Sequence, residues 1–300
     1  MQIPNMVHIV IQKILQATGN MIAPMWFQIA GVVFNFVFDP LLIFGIGPFP
    51  KMGVVGAAVA TVLGYVVSTI IALIQLFLTK QKVKPVFKNC LEPQMIKLIF
   101  SYGLPSFVMN ALGAFTVNFA NMFLVRYSDT AVAFFGAYFK VQQLIFMTVN
   151  GLIQGCLPIM RFNYRAKEYG RLKQANKSGT IIATVMMIVG MLLVLIFPKE
   201  ILFLFSASEE MCAFGVPAMR IMSLGFVFSG FSAMIATYEQ ATDSIMPGVV
   251  VQLLRQGVLL VPVIWLLNSA VQMTGIWLAF PITEFVTFLV AVVFAKIKNH

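Results

Sequence analysis

Charge is what this 300-residue chain has least of. Asp, Glu, Lys and Arg together make up 10% of it, against about 25% in an ordinary soluble domain. A surface that poor in charge is not built for water. Histidine is almost missing as well: His8 and His300, near the two ends, are the whole supply. Cys90, Cys156 and Cys212 are scattered, odd in number and form no CxxC pair, so these side chains cannot assemble a metal site. The chain has no GxxxxGK[ST] loop, no HExxH and no GxSxG, which argues against direct ATP coupling and against the common hydrolase chemistries. Residues 1–20 lack a basic n-region and a small-residue cleavage site and do not read as a signal peptide.

What fills the space is apolar. Hydrophobic residues are 60% of the chain and mean hydropathy is +0.93. Windows long enough to cross a bilayer, which takes about 20 apolar residues, fall at 22–45, 53–79, 104–125, 131–158, 178–198, 211–236, 248–268 and 275–295. Residues 3–16 look like the tail of one more helix. Each span must be helical, because backbone groups in lipid need partners inside their own segment. The expected fold is therefore all-α and polytopic, with about eight full transmembrane helices plus a remnant.

The net charge of +10 invites a nucleic-acid partner, but its placement points to topology instead. Lys80, Lys82, Lys84, Lys88 and Lys97 share one connection; Arg161, Arg165, Lys167, Arg171, Lys173 and Lys177 share another, two spans later; Lys296 and Lys298 end the chain. The opposite connections hold Lys51, Arg126 and Lys199 beside Asp129, Glu200, Glu209 and Glu210. This is the asymmetry of the positive-inside rule. It places the basic side and the C-terminus in the cytoplasm, runs span 22–45 outward, and implies no nucleic-acid partner.

The chain also repeats itself. Residues 16–24 (QATGNMIAP) return at 240–247 (QATDSIMP), and Pro40/Pro262, Gly53/Gly275, Ala57/Ala279 and Thr61/Thr283 are each 222 positions apart. A second copy ending at residue 300 sets the end of the first near 300 − 222 = 78. The first copy is then expected to begin about 145 residues before Met1, in a duplication of the kind found in secondary transporters.

Function is to be sought where charge enters lipid, since such groups are expensive there. Of ten carboxylates, only Asp39 and Glu284 fall well inside apolar spans. At 100° per residue Gln28, Asn35 and Asp39 lie within about 40° of one another, and Pro40, which follows, frees a carbonyl within the helix. A carboxylate, an amide oxygen and loosened backbone suit Na⁺ or a proton relay; a polar pair buried for packing is the plainer alternative. Further stripes, each about 80° wide, are Thr61, Tyr65, Ser68 and Gln75; Asn110, Asn118 and Asn121; and Lys140, Gln143, Asn150 and Gln154. Any one stripe is explained by helix-to-helix hydrogen bonding; four together, with Glu284, suggest a shared aqueous cavity. Its apolar wall would draw on 29 Phe and 19 Met, which suit greasy or cationic ligands.

Residues 35–45 (NFVFDPLLIFG) and 53–61 (GVVGAAVAT) resemble the fifth and sixth helices of multidrug and toxic compound extrusion (MATE) transporters, in their bacterial DinF- and MepA-like branch. Gln154 through Pro158 with Arg161–Ala166 resembles the end of helix eight, except that Arg161 and Arg165 stand where the family pattern has glycine. Leu254–Gly257 and Val261–Pro262 resemble helix eleven.

The resemblance implies two six-helix bundles around a central cavity, working by alternating access, with export driven by inward Na⁺ or H⁺. Asn35, Asp39 and Thr61 match positions of the family's N-lobe cation site, which also uses an aspartate on the first helix. The expected organisation is a remnant of the first bundle at 1–79, a cytoplasmic connection at 80–94 and a complete second bundle at 95–300. The chain is then a monomeric bacterial inner-membrane antiporter, not an enzyme, exporting small amphipathic, cationic drugs or toxic compounds. It would meet membrane lipids and need no cofactor beyond the coupling ion. The cavity would be lined by Gln28, Tyr65, Ser68, Asn110, Asn118, Asn121, Lys140, Gln143, Asn150, Gln154 and Glu284. Glu284 is expected to face this cavity and favour cations. The alternatives are a lipid-linked saccharide flippase, which needs several basic groups in the spans; an intramembrane lipid-modifying enzyme, which needs clustered acids or a metal motif; and a fragment unable to complete a transport cycle.

Overall fold

The computed structural model describes residues 3–20, 22–78, 92–242 and 245–297. Lys80, Lys82, Lys84, Lys88, Cys90, Lys298 and His300 lie outside the described residues. The chain divides into two units, Met1–Glu92 and Pro93–His300, so a boundary falls within the connection expected at 80–94. Every regular element among the described residues is helical.

The first unit holds α1 (Ile3–Ala17), α2 (Ile22–Phe44) and α3 (Val54–Leu78). Asn20 starts α2 by accepting from the Ala23 N–H with its side-chain oxygen, 3.2 Å away, which satisfies one of the orphan donors of a helix start. Gly45 ends the helix at φ +71°, a left-handed value that suits glycine. α2 and α3 pack closely because glycine faces glycine. A Cβ on Gly64 would stand 2.8 Å from the Gly31 carbonyl oxygen, and one on Gly31 would stand 2.7 Å from the Gly64 oxygen and strike the Ser68 side chain. Small residues that bring backbones together are the usual device of helix packing in lipid. Ile11, Leu15, Ala23, Phe27, Ala72 and Leu76 form the buried cluster of this unit.

The second unit runs α4 (Pro93–Leu124), α5 (Asp129–Arg165), α6 (Tyr169–Ile196), short α7 (Pro198–Phe203), α8 (Glu209–Ser223), α9 (Phe226–Ala241), α10 (Ile245–Leu253), a π segment at Leu254–Val258, and α11 (Leu260–Ile297). Caps set the starts. The Ser128 and Ser208 hydroxyls accept from the N–H groups of Ala131 and Met211, and acids follow in the first turn of α5 and of α8, where the helix dipole favours them. The core is aromatic at its centre: Phe134 meets Trp277 at 5.2 Å and Phe135 meets Phe280 at 5.7 Å between ring centres.

Six helices among the described residues are long and apolar enough to cross a membrane: 22–44, 54–77, 129–165, 169–196, 209–241 and 260–294. Helix breaks account for much of the difference from the expected eight. α11 is interrupted at Val271 and Gln272, whose backbone angles are not helical, so it supplies the span expected at 275–295 and the end of the one expected at 248–268, whose first part is α10 and the π segment. Span 211–236 is α8 and α9, broken at Leu224–Gly225 and continuing to Ala241. Offset by 222, α2 (22 + 222 = 244) and α3 (54 + 222 = 276) correspond to the helices on either side of the Val271–Gln272 interruption. In backbone the π segment of the second copy faces an uninterrupted stretch of α2 in the first. The outward surface suits lipid, with Phe36, Val54 and Phe162 more than 70% exposed.

Candidate functional site

In the first unit α2 and α3 bring three of the expected side chains together. The Asn35 amide nitrogen donates to Asp39 Oδ1 at 3.3 Å and lies 3.4 Å from Thr61 Oγ1; the Thr61 hydroxyl in turn donates to the Ala57 carbonyl at 2.9 Å. Asn35 and Asp39 are one helical turn apart and half-buried. α2 continues through Pro40, which has no N–H to offer the carbonyl of Phe36. The cluster thus offers a carboxylate, an amide, a hydroxyl and backbone oxygen within one turn, and the long contacts leave the Asp39 carboxylate accessible.

The other residues expected around a cavity in this unit have varied surroundings. Gln28 is exposed and accepts from Gln12 Nε2 at 3.4 Å. Tyr65 stacks on His8, with ring centres 6.0 Å apart and planes 17° from parallel. Ser68 is buried at the seam with Gly31. His8 is the partner that sequence reasoning missed. It belongs to α1 and is buried, and no motif marks it.

In the second unit Asn118, Lys140, Gln143, Asn150 and Gln154 are exposed along α4 and α5. Asn121 is half-buried, and its side-chain oxygen has no hydrogen-bond partner among the described residues. The side chain of Asn110 lies outside the described residues. Glu284 is paired within the bundle. It does not stand alone, because Arg255 Nε donates to its Oε1 at 2.8 Å, with the two side chains 16% and 14% exposed. The Arg255 guanidinium carbon sits 4.7 Å from the centre of the Phe146 ring. Glu284 Oε2 and the hydroxyl of fully buried Tyr138 are without a hydrogen-bond partner among the described residues, and Tyr138 lies within electrostatic reach of the carboxylate.

A signal for this pair was present in the sequence. Arg255 lies 16 residues before Val271 and Glu284 lies 12 after Gln272. Two opposite charges at similar distances from a helix reversal come to similar depth, and neither is affordable alone in lipid. A second missed acid is Glu239, 2% exposed in the last turns of α9, which lay beyond the expected end of its span.

A separate cavity of about 470 Å³ is lined by Lys199, Phe203, Glu209, Cys212, Ala213, Val216 and Pro217; none of the expected site residues lines it. No group of three His, Cys, Asp or Glu able to hold a metal occurs among the described residues.

The sequence profile of the MatE family matches residues 105–266. Multidrug export protein MepA of Staphylococcus aureus is 26% identical over 277 residues, which is 92% of this chain and 60% of that protein. MepA of Staphylococcus saprophyticus is 26% identical over 286 residues, 94% of this chain and 61% of that protein. The chain thus spans about 60% of the length of the curated relatives it matches. Among solved structures, a multidrug resistance MATE transporter of the MOP superfamily in an outward-facing conformation superposes with a TM-score of 0.85. It has 21% identity and covers 97% of this chain and 65% of that one. A MOP superfamily transporter from Pyrococcus furiosus gives 0.86 at 21% identity, with coverage of 97% and 65%. At that identity the likeness establishes the shared fold.

Proposed function

The chain belongs to the MatE family, and from that premise we propose that it works as a cation-coupled exporter of amphipathic, cationic small molecules by alternating access. The observation that carries the reading is the Asn35–Asp39–Thr61 cluster. An ionisable group within a membrane span marks an ion path or a substrate site, and this one has an amide and a hydroxyl beside it and a proline after it. Hard oxygen ligands of this kind serve Na⁺, and the carboxylate alone serves H⁺. The relatives, multidrug export proteins, support the same direction. We also propose a monomer in the bacterial plasma membrane, in line with the staphylococcal relatives, and the charge asymmetry supports placing the basic connections and the C-terminus in the cytoplasm.

The flippase alternative loses ground on the basic side chains. A phosphate would need several uncommitted cations, yet of the three basic residues in the spans Arg255 is bound to Glu284 and Arg220 Nε donates to the Leu195 carbonyl at 3.3 Å, which leaves exposed Lys140.

The test is dye export from vesicles of cells producing the protein, under an imposed Na⁺ or H⁺ gradient. Asp39→Asn keeps the shape of the cluster and removes its charge. Gradient-driven export is expected to disappear while helical content is retained. Export at the original rate in this variant overturns the coupling role of Asp39.

A further inference from the structure

In the second unit one side chain is held as a ligand would be held. The Arg255 guanidinium has the face of Phe146 on one side, 4.7 Å from its centre, and the Glu284 carboxylate at its edge, 2.8 Å from Nε. Phe226 stands edge-on to Phe146, 5.7 Å away. An aromatic face and a carboxylate converging on one planar, delocalised cation form the recognition chemistry of an organic cation. We propose that this seat is a binding site for a delocalised organic cation, and that Arg255 fills it as a tethered surrogate until such a ligand displaces it.

Three observations support displacement. Arg255 is carried on the π segment, two residues from Gly257, whose backbone is not helical; π segments inside helices concentrate at functional sites. Its side chain is long, and at 16% exposure the seat is not sealed. The carbon chain of Glu284 is packed independently of the arginine. Gly225, at the break between α8 and α9, packs on Glu284, so that a Cβ there would lie 3.3 Å from Glu284 Cγ and 3.2 Å from Pro281 Cα. When Arg255 leaves, Glu284 therefore stays in an apolar span. A replacement that brings positive charge is favoured, because an unpaired carboxylate is expensive there. Glu284 Oε2 and the Tyr138 hydroxyl, unpartnered among the described residues, add acceptors that the guanidinium leaves unused.

The proposal draws its biological meaning from the export reading, but its test does not need transport. Ethidium, a planar delocalised cation, is titrated by fluorescence into the purified protein and its variants. Arg255→Gln empties the seat and is expected to tighten ethidium binding about tenfold. The double variant Arg255→Gln with Glu284→Gln is expected to lose that gain. Methylguanidinium should raise the thermal midpoint of Arg255→Gln and leave the wild type unmoved. Arg255→Lys keeps the charge without the planar fork, and is expected to bind ethidium about threefold tighter than wild type. It carries the test if Arg255→Gln does not accumulate.

Equal ethidium affinity in wild type and in both Arg255 variants overturns the seat and leaves the export reading intact. A gain that survives Glu284→Gln overturns it as well, by placing the site elsewhere. A selective methylguanidinium response without gradient-driven export supports the seat and removes the export reading.

Discussion

Asp39 and Glu284 are both carboxylates inside apolar helices, and their surroundings separate them. Asp39 has a neutral amide beside it, whereas Glu284 has a guanidinium. Breaking a buried pair on one side costs about 3–5 kcal/mol, whereas replacing both partners is often close to neutral. Arg255→Gln is therefore expected to lower the thermal midpoint more than the double variant with Glu284→Gln does, and equal midpoints would show that the pair adds nothing. Close packing gives a second prediction. A Cβ on Gly31 meets Ser68 and the Gly64 carbonyl, and forced overpacking costs about 1–3 kcal/mol. Gly31→Ala should lower the midpoint, and adding Ser68→Gly should recover part of the loss. Recovery shows in thermal unfolding and is not expected from Ser68→Gly alone. The residue types at both sites were legible in the sequence. Their partners were not, because helical periodicity gives the face of one helix and not the helix that meets it.

Among the elements, the second unit is shaped by interruptions: Leu224–Gly225, the π segment Leu254–Val258, and the reversal at Val271–Gln272. The first meets Glu284 through Gly225 and the second through Arg255, so two helix irregularities are joined at one carboxylate. The reversal is fixed differently. Tyr127, in the turn between α4 and α5, donates its hydroxyl to Asn268 at 2.8 Å, and a Cβ on Gly275 would run into the Leu267 carbonyl. That obstacle is backbone and cannot swing aside. Gly275→Ala is expected to disturb the reversal and to lower the yield of folded protein, measured by size-exclusion elution, far more than alanine at exposed Gly136 or Gly155. Gln272 holds φ +54°, which costs a non-glycine residue about 1–3 kcal/mol. Gln272→Gly is expected to raise the thermal midpoint, with a net gain of about 1 kcal/mol after the added freedom of the unfolded chain.

At the scale of the whole molecule, the proposed orientation is open to direct measurement. Lys167 follows α5 among basic residues, and Ser208 precedes α8 beside Glu209 and Glu210. In a background where Cys90, Cys156 and Cys212 are replaced, single cysteines at positions 167 and 208 are exposed to a membrane-impermeant maleimide on intact cells. Labelling is expected at 208 and absent at 167 until the membrane is opened. The opposite pattern reverses the topology and removes the charge asymmetry as its guide.

Composition alone determined that this chain folds in lipid as helices, because so little charge leaves water out and the backbone must then be satisfied within each segment. Spacing along α2 determined that Asn35 and Asp39 share a face. Tertiary structure decided which helix meets that face, and so placed Thr61 of α3 beside Asn35, Tyr65 against His8 and Ser68 against Gly31. It also decided the fate of Glu284. One-dimensional spacing carries the angle of a side chain about its own axis and nothing about the neighbour across the gap, and in a bundle it is the neighbour that sets whether a buried charge is open or already bound.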